Sequence, residues 1–193
     1  MKKIILASAS PRRSQLLQTA EIEFEILIAP TDENYPEQLS PADIALHISL
    51  NKALEAQKKL ATLPNNVDAQ TILAADTIVV LDNRIIGKPA DREEAINTLS
   101  ELSGKTHKVI TGVTILSGKK IISFTEETEV AFYELSKEQI AYYVDQFKPY
   151  DKAGAYAIQE WIGIVGIRFI KGDFYNVMGL PVSRVIQELK KLN

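Results

Sequence analysis

An aspartate in the middle of an apolar strand is the first residue of this 193-residue chain that asks for a chemical reason. Asp76 lies within Leu73-Ala74-Ala75-Asp76-Thr77-Ile78-Val79-Val80. A carboxylate there is costly unless it is paired, hydrogen-bonded or bound to a metal. A turn or a salt bridge would satisfy it, and Lys88, just past the next strand, can be the partner; Lys88 reads equally as a phosphate ligand. The second candidate is Ser8-Ala9-Ser10-Pro11-Arg12-Arg13. With Pro11 at the first helical position, Arg12 and Arg13 fall in the first turn, where each cation opposes the helix dipole by about 0.3–1 kcal/mol. An anion seated among free amides, hydroxyls and guanidinium forks would account for them, and a triphosphate is such an anion. Two solvated surface arginines are the plain alternative.

Asp32 and Glu33 share a loop with Glu37. Loop acids are commonly solvated, but together with Asp76 they supply the hard oxygen ligands that suit Mg²⁺ or Mn²⁺. His47 and His107 lack the spacing of a helical zinc pair, and nothing favours a Ser-His-Asp triad built on Ser8. In Tyr150-Asp151-Lys152-Ala153-Gly154-Ala155-Tyr156-Ala157-Ile158-Gln159, the Lys, Tyr and Gln around a glycine can contact base and phosphate; a turn entering a strand would look similar. Neither Gly-x-Gly-x-x-Gly nor a P-loop occurs, so a dinucleotide fold and a P-loop NTPase are not indicated.

The elements that must position these groups follow from local signals. Ile4-Ile5-Leu6-Ala7 reads as a buried strand, and Ser10-Pro11 opens a helix with Leu16, Leu17 and Ala20 inward. Alternation of Ile22, Phe24, Ile26 and Ile28 with Glu21, Glu23 and Glu25 predicts a half-buried strand. Ala29 to Leu39 is a polar loop, and Ser40-Pro41-Ala42-Asp43 starts a helix to about Ala61. Thr71 to Leu81 is strand-like, interrupted by Asp76; Asp82-Asn83 turns into Ile85-Ile86, which ends at Gly87-Lys88-Pro89. Asp91 caps a helix through Leu102, stopped by Gly104. A hairpin spans 109–132 around Ser117-Gly118. Ser136 and Gln139 form a capping box for a helix ending before Pro149. Ile158 and 164–170 read as strands, and 181–192 as a final helix with Val182, Val185, Ile186 and Leu189 inward.

The length suits one core or two closely joined lobes. Net charge is -3, with 46% hydrophobic and 24% charged residues, which argues against a polynucleotide binder but not against single nucleotides. There are no cysteines, so disulfides, thiolate metal sites and cysteine nucleophiles are excluded. The apolar start halts at Ser8, short of the ~7–15 residues of a signal core, and no run approaches the ~20 residues of a membrane span. A cytoplasmic protein with no membrane partner is expected. Mixed strands and helices predict an α/β chain, 1–193, as one domain of two lobes on one shared mixed sheet.

Taken together, the segments 6–13, 75–77, 87–89, 102–107, 151–159 and 179–181 resemble the Maf family of nucleoside triphosphate pyrophosphatases. The resemblance implies a mixed, twisted sheet with helices forming two lobes around a cleft, akin to inosine triphosphate pyrophosphatases, and commonly a homodimer. It implies Asp76 as the catalytic acid-base position and Arg12, Thr77 and Gln159 as specificity positions. Ser8, Arg13, Lys52 and Lys88 match positions that hold the triphosphate; Glu33 with Asp76 matches the metal side. The form of the segment ending at Gln159 is similar to that of the subgroup acting on dTTP and UTP. Ala157 stands where glycine is common, and Glu160-Trp161 replaces a smaller pair, an added acid able to alter base choice. A sister subgroup acting on 7-methyl-GTP, and a non-catalytic nucleotide-sensing regulator of septum formation, are the competing expectations.

Overall fold

The computed structural model describes residues 3–62 and 70–192. Among them the strands form one seven-stranded mixed sheet, in the order β2-β1-β3-β5-β6-β7 with β4 added to β3. The strands are β1 (Ile4–Leu6), β2 (Phe24–Ile26), β3 (Thr71–Leu81), β4 (Arg84–Ile86), β5 (Thr106–Ser117), β6 (Lys120–Phe132) and β7 (Ile167–Lys171). The helices are α1 (Pro11–Thr19), α2 (Pro41–Ala61), α3 (Arg92–Leu102), α4 (Lys137–Phe147), α5 (Trp161–Gly166), α6 (Phe174–Met178) and α7 (Val182–Lys190). β1 is parallel to both β2 and β3, whereas β3–β4 and β6–β7 are antiparallel. The expected α/β class with a mixed sheet is what the chain adopts. No helix among the described residues is long and apolar enough to cross a membrane.

The chain divides into two compact units, one of Met1–Asp76, Thr111–Glu126 and Gly179–Asn193, the other of Thr77–Ile110 and Glu127–Met178. In the first, Ile5, Ile72, Ala74 and Leu116 of the strands, with Ala7 just past β1, pack with Ala53 and Ala56 of α2. The Ser40 hydroxyl accepts the Asp43 amide at 3.2 Å and starts α2. At Gly112 of β5 a Cβ would lie 2.3 Å from the Ala45 carbonyl carbon, so the backbones of α2 and β5 meet where only glycine fits.

The second unit has an aromatic-rich core of Val79, Leu99, Val109, Phe132, Tyr143, Tyr156 and Ile162, among others. His107 is buried in it, stacked on Phe132 at 5.5 Å, with Nε2 2.8 Å from the Tyr156 hydroxyl. α4 begins with the expected reciprocal cap, Ser136 to the Gln139 amide and Gln139 to the Ser136 amide. Asp82 and Asn83 both take positive φ, 49° and 64°, the turn that joins two twisted antiparallel strands.

Four expectations need correction. β3 runs unbroken through Asp76, because the carboxylate finds a partner to one side and the ladder need not break. The strand expected over 22–28 is only Phe24–Ile26: Glu21 turns the chain at φ 55°, Ile22 is buried, and Ile26 and Ile28 are 53% and 51% exposed. β2 is an edge strand paired to β1 alone, so little is available to cover them. Residues 161–166, assigned in part to a strand, form α5, and Ile158 lies in a turn before it. Short apolar runs do not distinguish the two conformations by period. In α7, Val185 and Leu189 are buried while Val182 and Ile186 are half-buried.

Burial of His107 pushes its pKa from 6.5 down to about 4. The unfolded chain takes up this proton near pH 6.5 and the folded one only near pH 4, so stability falls as pH drops through that window. A shift of this size corresponds to about 3 kcal/mol. Urea unfolding followed from about pH 7 to pH 4 is expected to show this loss, and His107→Phe to flatten the slope whatever its absolute stability. An unchanged slope would contradict the assignment.

Candidate active site

In the first unit, β1 delivers the chain to Ser8, and Ser10-Pro11 starts α1 with Arg13 in its first turn. Arg13 is not a surface arginine. Its side chain is buried, with Nε donating to the Gly179 carbonyl at 2.8 Å and Nη1 to Ser8 Oγ at 3.0 Å. Burial lowers its pKa; Asp76 acts against that, Arg12 adds to it, and Glu33 again opposes it. A desolvated guanidinium is thus held within electrostatic reach of both acids. Arg12, beside it on α1, is half-buried.

Asp76 is paired with Lys52 of α2, not with Lys88. Lys52 Nζ stands 2.7 Å from Asp76 Oδ1 and 2.7 Å from Glu33 Oε1. The lysine and Asp76 side chains are 19% and 15% exposed, so this pair is largely shielded from water. Asp32 turns away, accepting the Asn34 amide at 2.9 Å and its side-chain nitrogen at 2.8 Å; Glu37 is exposed. Among the described residues no group of three His, Cys, Asp or Glu side chains is placed to hold a metal. Two carboxylates that meet at a single ammonium are of the oxygen-donor type that a hard divalent ion would take.

The remaining candidates belong to the second unit. Thr77 directly follows Asp76 in β3 and is half-buried, and Lys88 is exposed beyond β4. The Gly87 carbonyl accepts the Gly154 amide at 3.1 Å, which ties the Lys88 loop to the segment leading to Gln159. Gln159 is exposed and lines a largely apolar groove of about 500 Å³ with Ile164, Ile167, Phe169 and Phe174. Glu160, read from sequence as an acid able to alter base choice, has its carboxylate on Tyr143 and near Lys152. Neither histidine joins Ser8: its hydroxyl meets Arg13 and the Ser10 amide, His47 Nε2 meets Asn51 at 3.0 Å, and His107 meets Tyr156.

Two roles escaped the sequence reading. Tyr143 sits on the inward face of α4, where an aromatic reads as core packing. Gly179 acts through its carbonyl oxygen, which has no side-chain signature.

A family model described as "Maf-like protein" matches residues 3–192. A protein of Parabacteroides distasonis named dTTP/UTP pyrophosphatase is 49% identical over 97% of this chain and 95% of its own length. Proteins of the same name from Cytophaga hutchinsonii and Bacillus cereus are 52% and 47% identical, over 98% and 100% of this chain and 84% and 97% of theirs. Among solved structures, the Staphylococcus aureus Ham1 protein matches at TM-score 0.47 and 12% identity, over 68% of this chain and 72% of that one.

The anchoring of Arg13 can be tested without any assay of activity. Arg13→Met keeps the stem but removes the guanidinium hydrogen bonds to the Gly179 carbonyl and to Ser8. Urea unfolding should show a loss of about 1–3 kcal/mol; a neutral substitution would mean that the guanidinium is not structurally engaged.

Proposed function

We propose that this chain, which belongs to the Maf family, hydrolyses dTTP and UTP to the nucleoside monophosphate and pyrophosphate. The observation that carries this reading is the shielded Lys52 ammonium between Glu33 and Asp76, within electrostatic reach of the buried Arg13. Acids and cations gathered in this way suit a polyanion and an attacking water together. Glu33 and Asp76 are the residues that would hold Mg²⁺ or Mn²⁺, which when bound supplies Lewis-acid polarisation of phosphate oxygens.

Asp76, as general base or as metal ligand, assists removal of the proton from the water that attacks the α-phosphorus. The bond from that phosphorus to the bridging oxygen breaks, and pyrophosphate leaves with the electron pair. With Oδ1 on Lys52 at 2.7 Å, Oδ2 is the oxygen that would meet the ion or take the proton, one role at a time. Arg12, Arg13, Lys52 and Lys88 offset the charge of the triphosphate, and Ser8 adds a hydroxyl to it. Arg13, already fixed to Gly179 and Ser8, needs little reorganisation to do so. Thr77 and Gln159 read the base. Thymine and uracil present acceptor, donor and acceptor along one edge, and a Gln amide offers one donor and one acceptor to it. A homodimer and a cytoplasmic location complete the proposal.

A panel of triphosphates scored by pyrophosphate release is the test, with dTTP and UTP expected to exceed 7-methyl-GTP. A chelator should abolish turnover and Mg²⁺ or Mn²⁺ restore it. Saturable binding without turnover under either ion would instead indicate a sensor. Asp76→Asn should lower kcat by ~10²-fold or more, and near-normal turnover would remove Asp76 from the mechanism. Gln159→Ala should lose more activity on dTTP than on a purine triphosphate; equal losses would count against base reading there.

A further inference from the structure

One phenol oxygen holds both flanks of Gln159. Tyr143 Oη, on the buried face of α4, accepts the Ala157 amide at 3.1 Å and donates to Glu160 Oε2. The other Glu160 oxygen lies 3.6 Å from Lys152 Nζ, an ammonium only 9% exposed that also pairs with Asp151 at 2.7 Å. Between the two attachment points the backbone closes on itself, the Glu160 amide donating to the Ala157 carbonyl at 3.1 Å, and just beyond them the Gly163 amide donates to the Glu160 carbonyl at 2.9 Å. At Gly163 a Cβ would stand 1.7 Å from the Ile158 carbonyl oxygen, so only glycine permits this closure. Trp161 packs edge-on against Tyr142 at 4.8 Å. Gln159 is therefore the exposed apex of a loop tied to two adjacent tyrosines of α4.

An untethered glutamine amide discriminates poorly. Turned over, it exchanges donor and acceptor and suits a cytosine edge as well as a thymine edge. Selection between the two requires the amide to be presented one way round. We propose that Glu160 is a positioning residue for base selection: through Tyr143 and Lys152 it holds the loop that presents the Gln159 amide to a uracil-type edge and against a cytosine-type edge. This rests on Gln159 being the residue that reads the base.

The experiment compares kcat/KM for dTTP and dCTP in the full-length protein. Wild type is measured first: no preference for dTTP would defeat the base-reading assignment of Gln159 itself, independently of any role for Glu160. Given that preference, Glu160→Ala should reduce the dTTP-to-dCTP ratio by about five- to tenfold, the worth of one hydrogen bond. Glu160→Gln, which keeps an acceptor for Tyr143, should recover most of the ratio. In a Gln159→Ala background Glu160→Ala should change the ratio no further, because both act through the same amide. Thermal melts monitor folding, and should Glu160→Ala fail to fold, Tyr143→Phe is expected to reduce the ratio in the same direction. An unchanged ratio, a Gln variant no better than Ala, or losses that multiply in the double variant would each overturn the proposal.

Discussion

A lysine ammonium shared by two carboxylates sits where α2, β3 and the polar loop come together, and much of the first unit can be understood from what that arrangement requires. Charges removed from water are costly, and their mutual attraction compensates only when the geometry is close. Lys52 reaches Asp76 and Glu33 at 2.7 Å each, so Asp76 is not left alone in partial burial, while Glu33 stays open to water. The position of Lys52 depends in turn on α2. Ser40 sets the start of the helix, about 1.5 Å of rise per residue carries it inward, and the close approach at Gly112 sets its height over β5. Arg13 adds a further fixed cation, held by a carbonyl and a hydroxyl.

The second unit solves a different problem by different means. Its core is aromatic, with His107, Phe132 and Tyr156 in mutual ring contact and Tyr143 stacked on Phe147. Packed rings are stiff, and their polar tips point where backbone needs holding. Tyr156 uses its hydroxyl on His107, and Tyr143 uses its own on the turn that carries Gln159. The backbone on either side of the exposed Gln159 is thus tied to residues of the core. Glu160 and Trp161 fit this picture, since each side chain meets one of two consecutive tyrosines.

The local devices were legible because each is complete within a few residues. Caps at Ser40, Asp91 and Ser136, the proline at the start of α1, and the Asp82-Asn83 turn all satisfy backbone groups nearby. Errors fell where burial, not local conformation, decides. Ile26 and Ile28 alternate as strand residues should, but an edge strand has no second neighbour to cover them. The run through Ile164 lacks a period, and residues 161–166 form a helix in which a Cβ at Gly163 would clash with the Ile158 carbonyl.

At the candidate site, Asp76 and Arg13 could be singled out from sequence because each is misplaced by ordinary rules, an acid in an apolar strand and a cation at a helix start. Misplacement is a local property, and one chain of letters is enough to reveal it. Which groups resolve it is not local. Lys52 lies 24 residues from Asp76 and the Gly179 carbonyl 166 from Arg13, separations over which spacing carries no geometric information. Only packing of helix on sheet brought them within hydrogen-bond range, and it gave Asp76 a partner other than the lysine nearest to hand.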